Sequence, residues 1–393
     1  MITEGLRALL RDPAVETLLA ALPSARLVGG CVRDGLLERA VHDIDLATPL
    51  PPETVAQQLE AAGLRVIPTG LSHGTVTAFI NGVGYEITTL RRDVETDGRH
   101  AVVAFTDDWR DDAARRDFTI NAMSLTARAE LFDYFSGRED LHAGCVRFVG
   151  DPATRIAEDR LRVLRFFRFH ARYARVPPSA ETLHAIAAAA PALPALSAER
   201  IWSELQRILI VASPCEAVDL MHGLGVLTSV LPEGASPARL RRLVEAGAPA
   251  DPILRLAALL NGDAERAAER LRLSNEQTST LLALREAAVP EEDAAVAPWL
   301  ADVPKPILLG RLWLAGASPA LRARVEAYPV PRFPLEGRDV VALGVAPGPA
   351  VGAALRAVRA WWLESGAVAD HAACLQRLTA FLKANSAEPD LSL

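Results

Sequence analysis

LVGGCVRDGLLERAVHDIDLAT, residues 27–48, carries the pattern from which the rest of the chain is read. A short apolar run ends in Gly29-Gly30. Arg33-Asp34 follows, in what the spacing predicts as a helix over about 32–38. Asp43 and Asp45 then lie two apart in a second apolar run, predicted as a strand over 44–47. Side chains alternate along a strand, so both carboxylates project from one face. Two carboxylates so close repel each other unless a cation sits between them, and Mg²⁺ is the usual occupant where phosphates are present. Glycines let backbone N–H groups approach a phosphate, and a helix N-terminus after them favours anions. The stretch reads as a nucleoside-triphosphate and metal site.

The chain of 393 residues is too long for one ordinary core, so two to four domains are expected. Half of it is apolar, without long charged tracts. The first residues, MITEGLRALLRDPAVETLLAAL, carry charges throughout and lack an apolar signal core. The AIAAAAPALPAL stretch is broken by Pro191 and Pro194, and no apolar run is long enough to span a bilayer. Cys31, Cys145, Cys215 and Cys374 lie far apart, without metal-ligand or disulfide-framework spacing. The expectation is a cytoplasmic protein with no structural zinc, no membrane contact and no obligatory protein partner. A net charge of −7 seldom accompanies nucleic-acid binding, but binding depends on local patches. Basic residues are almost all Arg, a coding bias, so Arg abundance alone carries no function.

Taken in order, residues 2–21 have helical spacing around Pro13. Residues 26–28 read as a strand, 52–62 as a helix capped by Gly63, and 66–68, 75–80 and 85–89 as strands. The first 130 or so residues are thus a small mixed-sheet α/β domain. Residues 91–112, RRDVETDGRHAVVAFTDDWRDD, are expected to be a mobile polar loop. Residues 115–122, RRDFTINA, read as the start of an amphipathic helix, with Phe118, Ala122 and Leu125 inward and Arg116 and Asn121 toward a cleft. Residues 133–141, DYFSGREDL, read as a turn-rich connection. Beyond Asp151-Pro152 the pattern is helical.

A second informative stretch is residues 158–169, EDRLRVLRFFRF. At about 100° per residue, Asp159, Arg162, Arg165, Arg168 and Arg172 share one side. Val163, Leu164, Phe166, Phe167 and Ala171 share the other. From Arg155 to Arg175 there are seven arginines and two acids, against an acidic whole. On spacing alone this is equally a solvated face of an Arg-rich chain. The chemical reading is sharper. Cytosine and adenine both present an amino donor beside a ring-nitrogen acceptor, whereas guanine and uracil present the reverse. An Asp acceptor beside an Arg donor, Asp159 with Arg162, matches C and A and mismatches G and U. Arg165 and Arg168, further along, are placed to hold phosphates.

Through LVGGCVRDGLLERAVHDIDLAT, EITTLRRD, RRDFTINAMSL, DYFSGREDL, RIAEDRLRVLRFFRF and SAERIWSEL, the chain resembles the class II tRNA nucleotidyltransferase and poly(A) polymerase family. The match covers roughly residues 26–210; further on it is weak, mainly GRDVVALGVAPGPAVG. The resemblance implies an α+β protein. A mixed-sheet nucleotidyltransferase head (1–140) would precede an all-helical neck (141–210), body (211–300) and tail (301–393). It carries over Asp43 and Asp45 as Mg²⁺ ligands, two ions being expected, and Glu86 as a third carboxylate or general base. Gly29, Gly30, Arg33 and Asp34 fall in the triphosphate-contacting motif. Arg116 matches a nucleotide-binding arginine, with Asp117 and Asn121 nearby in its motif. Asp159, Arg162, Arg165 and Arg168 match residues that recognise CTP and ATP. Cys31 reads as packing.

The implied reaction is attack of a tRNA 3′-hydroxyl on the α-phosphate of CTP or ATP, adding C, C and A and releasing pyrophosphate. Arg92-Asp93 and Asp97-Gly98-Arg99 in the 91–112 segment favour full CCA addition over CC alone. Poly(A) polymerase or an A-adding enzyme is the alternative within the family. An Asp-x-Asp motif also occurs in sugar-nucleotide glycosyltransferases, but Gly-Gly-x-Val-Arg-Asp and the arginine helix do not belong to that reading. A catalytically inactive RNA-binding protein is opposed by intact Asp43 and Asp45.

Overall fold

In the computed structural model the described residues are 2–70, 74–96 and 101–386. They fall in two compact units, Met1–Ala235 and Ser236–Leu393. The chain opens with α1 (Glu4–Leu10) and α2 (Pro13–Ala21). Pro13 starts the second helix, because a missing N–H costs nothing in the first turn. Asp12 caps it, accepting from the Ala14 and Val15 amides at 2.9 and 3.2 Å.

There follow β1 (Arg26–Val28), α3 (Gly30–Leu36), β2 (Asp45–Thr48), α4 (Pro52–Ala61), β3 (Arg65–Gly70), β4 (Thr75–Ile80) and β5 (Val83–Thr89). The segment expected to be a mobile loop contains β6 (Arg91–Thr96) paired antiparallel with β7 (Ala101–Phe105), and then α5 (Trp109–Ala114). β6, RRDVET, is polar and offers no hydrophobic alternation, whereas β7, AVVAF, is a short apolar run of strand character that the polar residues on either side of it masked. Asp97-Gly98-Arg99 lie outside the described residues.

The expected helix over 115–122 does not form. Ala114 ends α5, Thr119–Asn121 make a single 3₁₀ turn, and β8 (Met123–Leu125) and β9 (Leu131–Asp133) follow. The cause is local: the Asp117 carboxylate accepts from the Phe118 amide at 2.9 Å and from Asn121 Nδ2 at 3.0 Å, competing with helical bonding. The expected turn at 133–141 contains α6 (Gly137–Ala143), whose first turn Asp133 accepts from at Gly137 N, 2.8 Å.

The sheet has the order β3-β4-β5-β2-β1-β8-β9. β2 and β5 run parallel, and the other neighbours in this sheet are antiparallel. One row across it, Val76, Ile87, Leu46, Leu27 and Leu125, is wholly buried. The adjacent row faces the other way and contains Glu86, Asp45 and Val28. Alternation along three strands thus buries one set of side chains and aims two carboxylates into a cleft.

The rest of this unit is helical: α7 (Pro152–Glu158), α8 (Leu161–Tyr173), α9 (Ala180–Ala189), α10 (Ala198–Leu209), α11 (Cys215–Gly223) and α12 (Val226–Val230). Phe118 anchors α8. Its ring lies 4.9 Å from Phe148, 5.1 Å from Phe169 and 6.2 Å from Phe166, centroid to centroid.

The second unit is helical throughout its described residues, from Pro237–Glu245 to His371–Ser386. One apolar cluster gathers around Val340, Val358, Trp362 and Leu378, and another around Leu308, Leu312 and Val325. Trp362 packs in the first, its indole N–H donating to the Ala369 carbonyl at 3.0 Å. Among the described residues no helix is long and apolar enough to cross a membrane.

Candidate active site

In the first unit a cavity of about 670 Å³ opens between the carboxylate row of the sheet and α8. Nine arginines and seven carboxylates line it, so it is locally positive in a chain of net charge −7. Every residue expected at the site from sequence lines it: Gly29, Gly30, Arg33, Asp34, Asp43, Asp45, Glu86, Arg116, Asp117, Asn121, Asp159, Arg162, Arg165 and Arg168.

Asp43, Asp45 and Glu86 converge at one end. Asp43 does not belong to a strand as expected but sits two residues before β2, while Asp45 begins it, in register with Glu86 of β5. Asp45 is open to solvent in the cleft, yet the surrounding protein displaces part of its hydration. That desolvation, then the charge of Glu86, and then Asp43 push its carboxyl pKa up, against the opposing pull of Arg116. These three carboxylates have no ion-pair partner among the described residues, so their repulsion favours a bound cation. Among those residues no group of three His, Cys, Asp or Glu side chains is arranged to hold an ion alone. Such a donor set fits an ion whose shell is completed by phosphate oxygens and water.

Gly29 precedes α3 with φ +72°, and a Cβ there would lie 3.0 Å from Arg116 Nη1. Glycine therefore supplies both the backbone angle and the room for the guanidinium. Arg116 is held in place by Asp112 on α5, Nη2 to Oδ2 at 3.2 Å. Burial alone would raise the Asp112 carboxyl, but Arg116 and Arg115 more than offset it and lower the pKa.

Arg33 is buried. Its Nε and Nη2 donate to the two Asp34 oxygens at 3.0 and 2.8 Å, and its Nη1 donates to Asn121 Oδ1 at 2.5 Å. Asn121 passes the link to Asp117, and Asp117 accepts from Arg165 of α8, Nε to Oδ2 at 2.8 Å. Burial would raise the Asp117 carboxyl, but Arg165 and Asn121 together hold it below the usual carboxylate range. Arg168 lies 2.8 Å from the buried Glu204 of α10. Desolvation outweighs that carboxylate and lowers the Arg168 pKa.

The expected continuous helix through Asp159 is broken. Asp159 is extended, at φ −150°, between α7 and α8, and its Oδ1 accepts from the Leu161 amide at 3.0 Å, a local turn that separates the two helices. Its Oδ2 accepts from Arg200 Nη2 at 2.8 Å. Arg162 pairs instead with Glu158 at 2.5 Å, and donates to the Arg155 carbonyl at 2.9 Å and the Arg115 carbonyl at 3.1 Å. Each member of the acceptor–donor pair thus has its own brace, and neither quenches the other.

Sequence reasoning assigned no role to Asp112, Glu158, Arg200, Glu204 or Tyr173. The first two stand four residues before Arg116 and Arg162, a helical spacing that would have revealed them. Arg200 and Glu204 come from a distant segment, and Tyr173, though on α8, meets a partner 139 residues away, so no local signal marks them.

Comparison with known proteins places this arrangement. The sequence matches the poly A polymerase head domain over residues 25–147, and the probable RNA- and SrmB-binding site of polymerase A over residues 178–236. It is 37% identical to the mitochondrial CCA tRNA nucleotidyltransferase 1 of Homo sapiens, over 93% of this chain and 88% of the human one. It is 42% identical to the CCA-adding enzyme of Lactiplantibacillus plantarum over 39% of this chain and 37% of that one. The crystal structure of the Bacillus stearothermophilus CCA-adding enzyme in complex with CTP superposes with a TM-score of 0.77 at 26% identity, covering 95% of this chain and 99% of that chain. With the relationship extending over nearly its whole length, the chain is a nucleotidyltransferase and belongs to the family of CCA tRNA nucleotidyltransferases and poly(A) polymerases.

Proposed function

We infer that the protein adds C, C and A to the 3′ end of tRNA from CTP and ATP, without a template, and that the cavity beside α8 is where it does so. The observation carrying this reading is a single cavity with carboxylates at one end that have no ion-pair partner among the described residues, and a separately braced Asp159 and Arg162 on its wall.

Asp43 and Asp45 would hold Mg²⁺, two ions being consistent with the crowding of their charges. The metal supplies charge neutralisation of the leaving pyrophosphate and activation of the attacking hydroxyl. Glu86 is the third carboxylate, beside Asp45, in position to accept the hydroxyl proton. The 3′-oxygen forms the new bond to the α-phosphorus, and the bond to the bridging oxygen of pyrophosphate breaks. Arg33, Arg116, Arg165 and Arg168 bind and orient the triphosphate. Asp34, Asp117 and Asn121 hold Arg33 and Arg165, Asp112 holds Arg116 and Glu204 holds Arg168, and Gly29 and Gly30 admit the phosphates to the backbone. Asp159 accepts from the amino group of C or A, and Arg162 donates to its ring nitrogen. A wrong base leaves these groups unpaired, at a cost of ~1–3 kcal/mol per bond.

The division into head (1–140), neck (141–210), body (211–300) and tail (301–393) is retained as a functional proposal, with tRNA held by helices beyond the neck through phosphate and shape contacts. The four cysteines, all free, support a reducing, cytoplasmic setting.

The test is incubation with tRNA transcripts ending before, within and after CCA, each with labelled CTP or ATP. Addition of only the missing residues is expected. Unlimited A addition would overturn the reading in favour of a poly(A) polymerase, and A addition confined to tRNA ending in CC would restrict it to an A-adding enzyme.

A further inference from the structure

The chain of contacts from Arg165 to Arg33 does not end at Asp34. The Tyr173 hydroxyl, on the last turn of α8, donates to Asp34 Oδ1 at 2.9 Å. Tyr173 and Asp34 are 139 residues apart in sequence. The contacts therefore close a circuit: α8 through Arg165 to Asp117, Asn121, Arg33 and Asp34, and back to α8 through Tyr173. The Tyr173 ring adds a second restraint. The Arg33 guanidinium carbon lies 4.7 Å from its centroid and 5.2 Å from that of Phe169. Tyr173 is itself buried, only 8% exposed, and its bond to Asp34 is partly shielded at the cavity wall.

We propose that Tyr173 is a positioning residue for the incoming nucleotide: by anchoring Asp34 it sets the pose in which Arg33 meets the triphosphate. The physical reason lies in donor counting. Arg33 has five N–H groups, and three are committed to Asp34 and Asn121. The direction of the remaining two follows from the plane of the guanidinium, and that plane is set by the Asp34 fork. A carboxylate anchored only by the arginine it orients turns with it. The hydroxyl bond to α8 stops that rotation. The triphosphate is common to CTP and ATP, so Tyr173 acts on both alike and leaves base choice to Asp159 and Arg162.

This inference rests on the reading of Arg33 as a triphosphate ligand. The experiment measures KM and kcat for CTP on tRNA lacking CCA, and for ATP on tRNA ending in CC, in wild type, Tyr173→Phe, Asp34→Asn, the double variant and Arg33→Ala. Tyr173→Phe is expected to raise both KM values by a common factor of about 10 to 100, the scale of a lost hydrogen bond to a charged group, with kcat nearly unchanged. The double variant is expected to be no worse than Asp34→Asn, since the hydroxyl acts through that carboxylate. Unchanged KM in Tyr173→Phe, unequal effects on CTP and ATP, or additive effects in the double variant overturn the proposal. If Tyr173→Phe fails to fold, unchanged KM in Asp34→Asn overturns it equally. If Arg33→Ala leaves KM unchanged, the fault lies in the assignment of Arg33. If it raises KM while Tyr173→Phe does not, only the present inference falls.

Discussion

Asp45 is held at an electrostatic cost that the Arg116 charge offsets only in part. Desolvation in the cleft, Glu86 and Asp43 outweigh the pull of Arg116 and raise its pKa, so the charged form is disfavoured in the folded state. The native carboxyl then holds its proton to higher pH than the unfolded one. Stability falls as pH rises through the window between the two values, and the cost is full at pH 7. Asp45→Asn is therefore expected to melt at a higher temperature than wild type in EDTA at pH 7, with the gap closing toward pH 3 and narrowing when Mg²⁺ is added. A calorimetric series over pH, with and without Mg²⁺, checks it. Asp43→Ala is expected to lower nucleotide incorporation at least about a hundredfold while tRNA binding by filter assay persists. Loss of both together would instead place Asp43 in RNA binding. Asp117 has the opposite sign. Arg165 and Asn121 hold its pKa low, so its stabilisation is full above the unfolded value near roughly 3.9 and is lost as pH falls through the lower folded one. Asp117→Asn leaves Arg165 without its buried partner and is expected to cost about 3–5 kcal/mol in urea denaturation at pH 7. That cost should shrink as pH falls through the lowered folded pKa, where the wild-type carboxyl is itself protonated.

At the scale of elements, α8 is the piece that joins the two chemistries. Its apolar face packs Phe166 and Phe169 around Phe118, and its polar face presents Arg162, Arg165 and Arg168 to the cavity. Phe118→Ala would leave a void in a fully buried aromatic cluster, with an expected loss of about 3–5 kcal/mol. Because the void lies under the arginine face, KM for both nucleotides is expected to rise with the loss of stability. A melt and steady-state kinetics on the same sample check the two together. The elements themselves were unevenly legible. The strands 26–28, 75–80 and 85–89 and the helix at 52–62 followed from apolar periodicity. β6 and β7 did not, because β6 is polar throughout and the apolar run of β7 is short and set among charged residues. The break at Asp159 did not either: a carboxylate that bonds the amide two residues on has the same spacing as one that continues a helix.

At the scale of the whole molecule, an acidic chain must bind a polyanion. The arginines that line the cavity supply a local positive field that the net charge conceals. Such binding releases counterions, so the logarithm of tRNA affinity is expected to fall linearly with the logarithm of salt, by about 0.7–0.9 per phosphate neutralised. KM for tRNA should therefore rise more steeply with KCl than KM for CTP, whose contacts are buried and less screened. Equal slopes would mean that tRNA is held mainly by uncharged contacts.

What the sequence determined by itself is what short-range chemistry can encode. The Asp-x-Asp pair, the glycines before Arg33 and the arginine ladder of residues 162–172 each act over a few residues, and all of them line one cavity. What only the tertiary structure decided is who faces whom. Parallel pairing of β2 with β5 put Glu86 beside Asp45, forty-one residues away in sequence. Packing of α8 on Phe118 brought Arg165 to Asp117 and Tyr173 to Asp34, across 48 and 139 residues. No periodicity carries such pairings, because they depend on the twist of a sheet and the seat of a helix, which the whole core sets at once. The opening stretch thus holds the chemistry, and the distant helix, fixed on it by buried contacts, holds that chemistry in position.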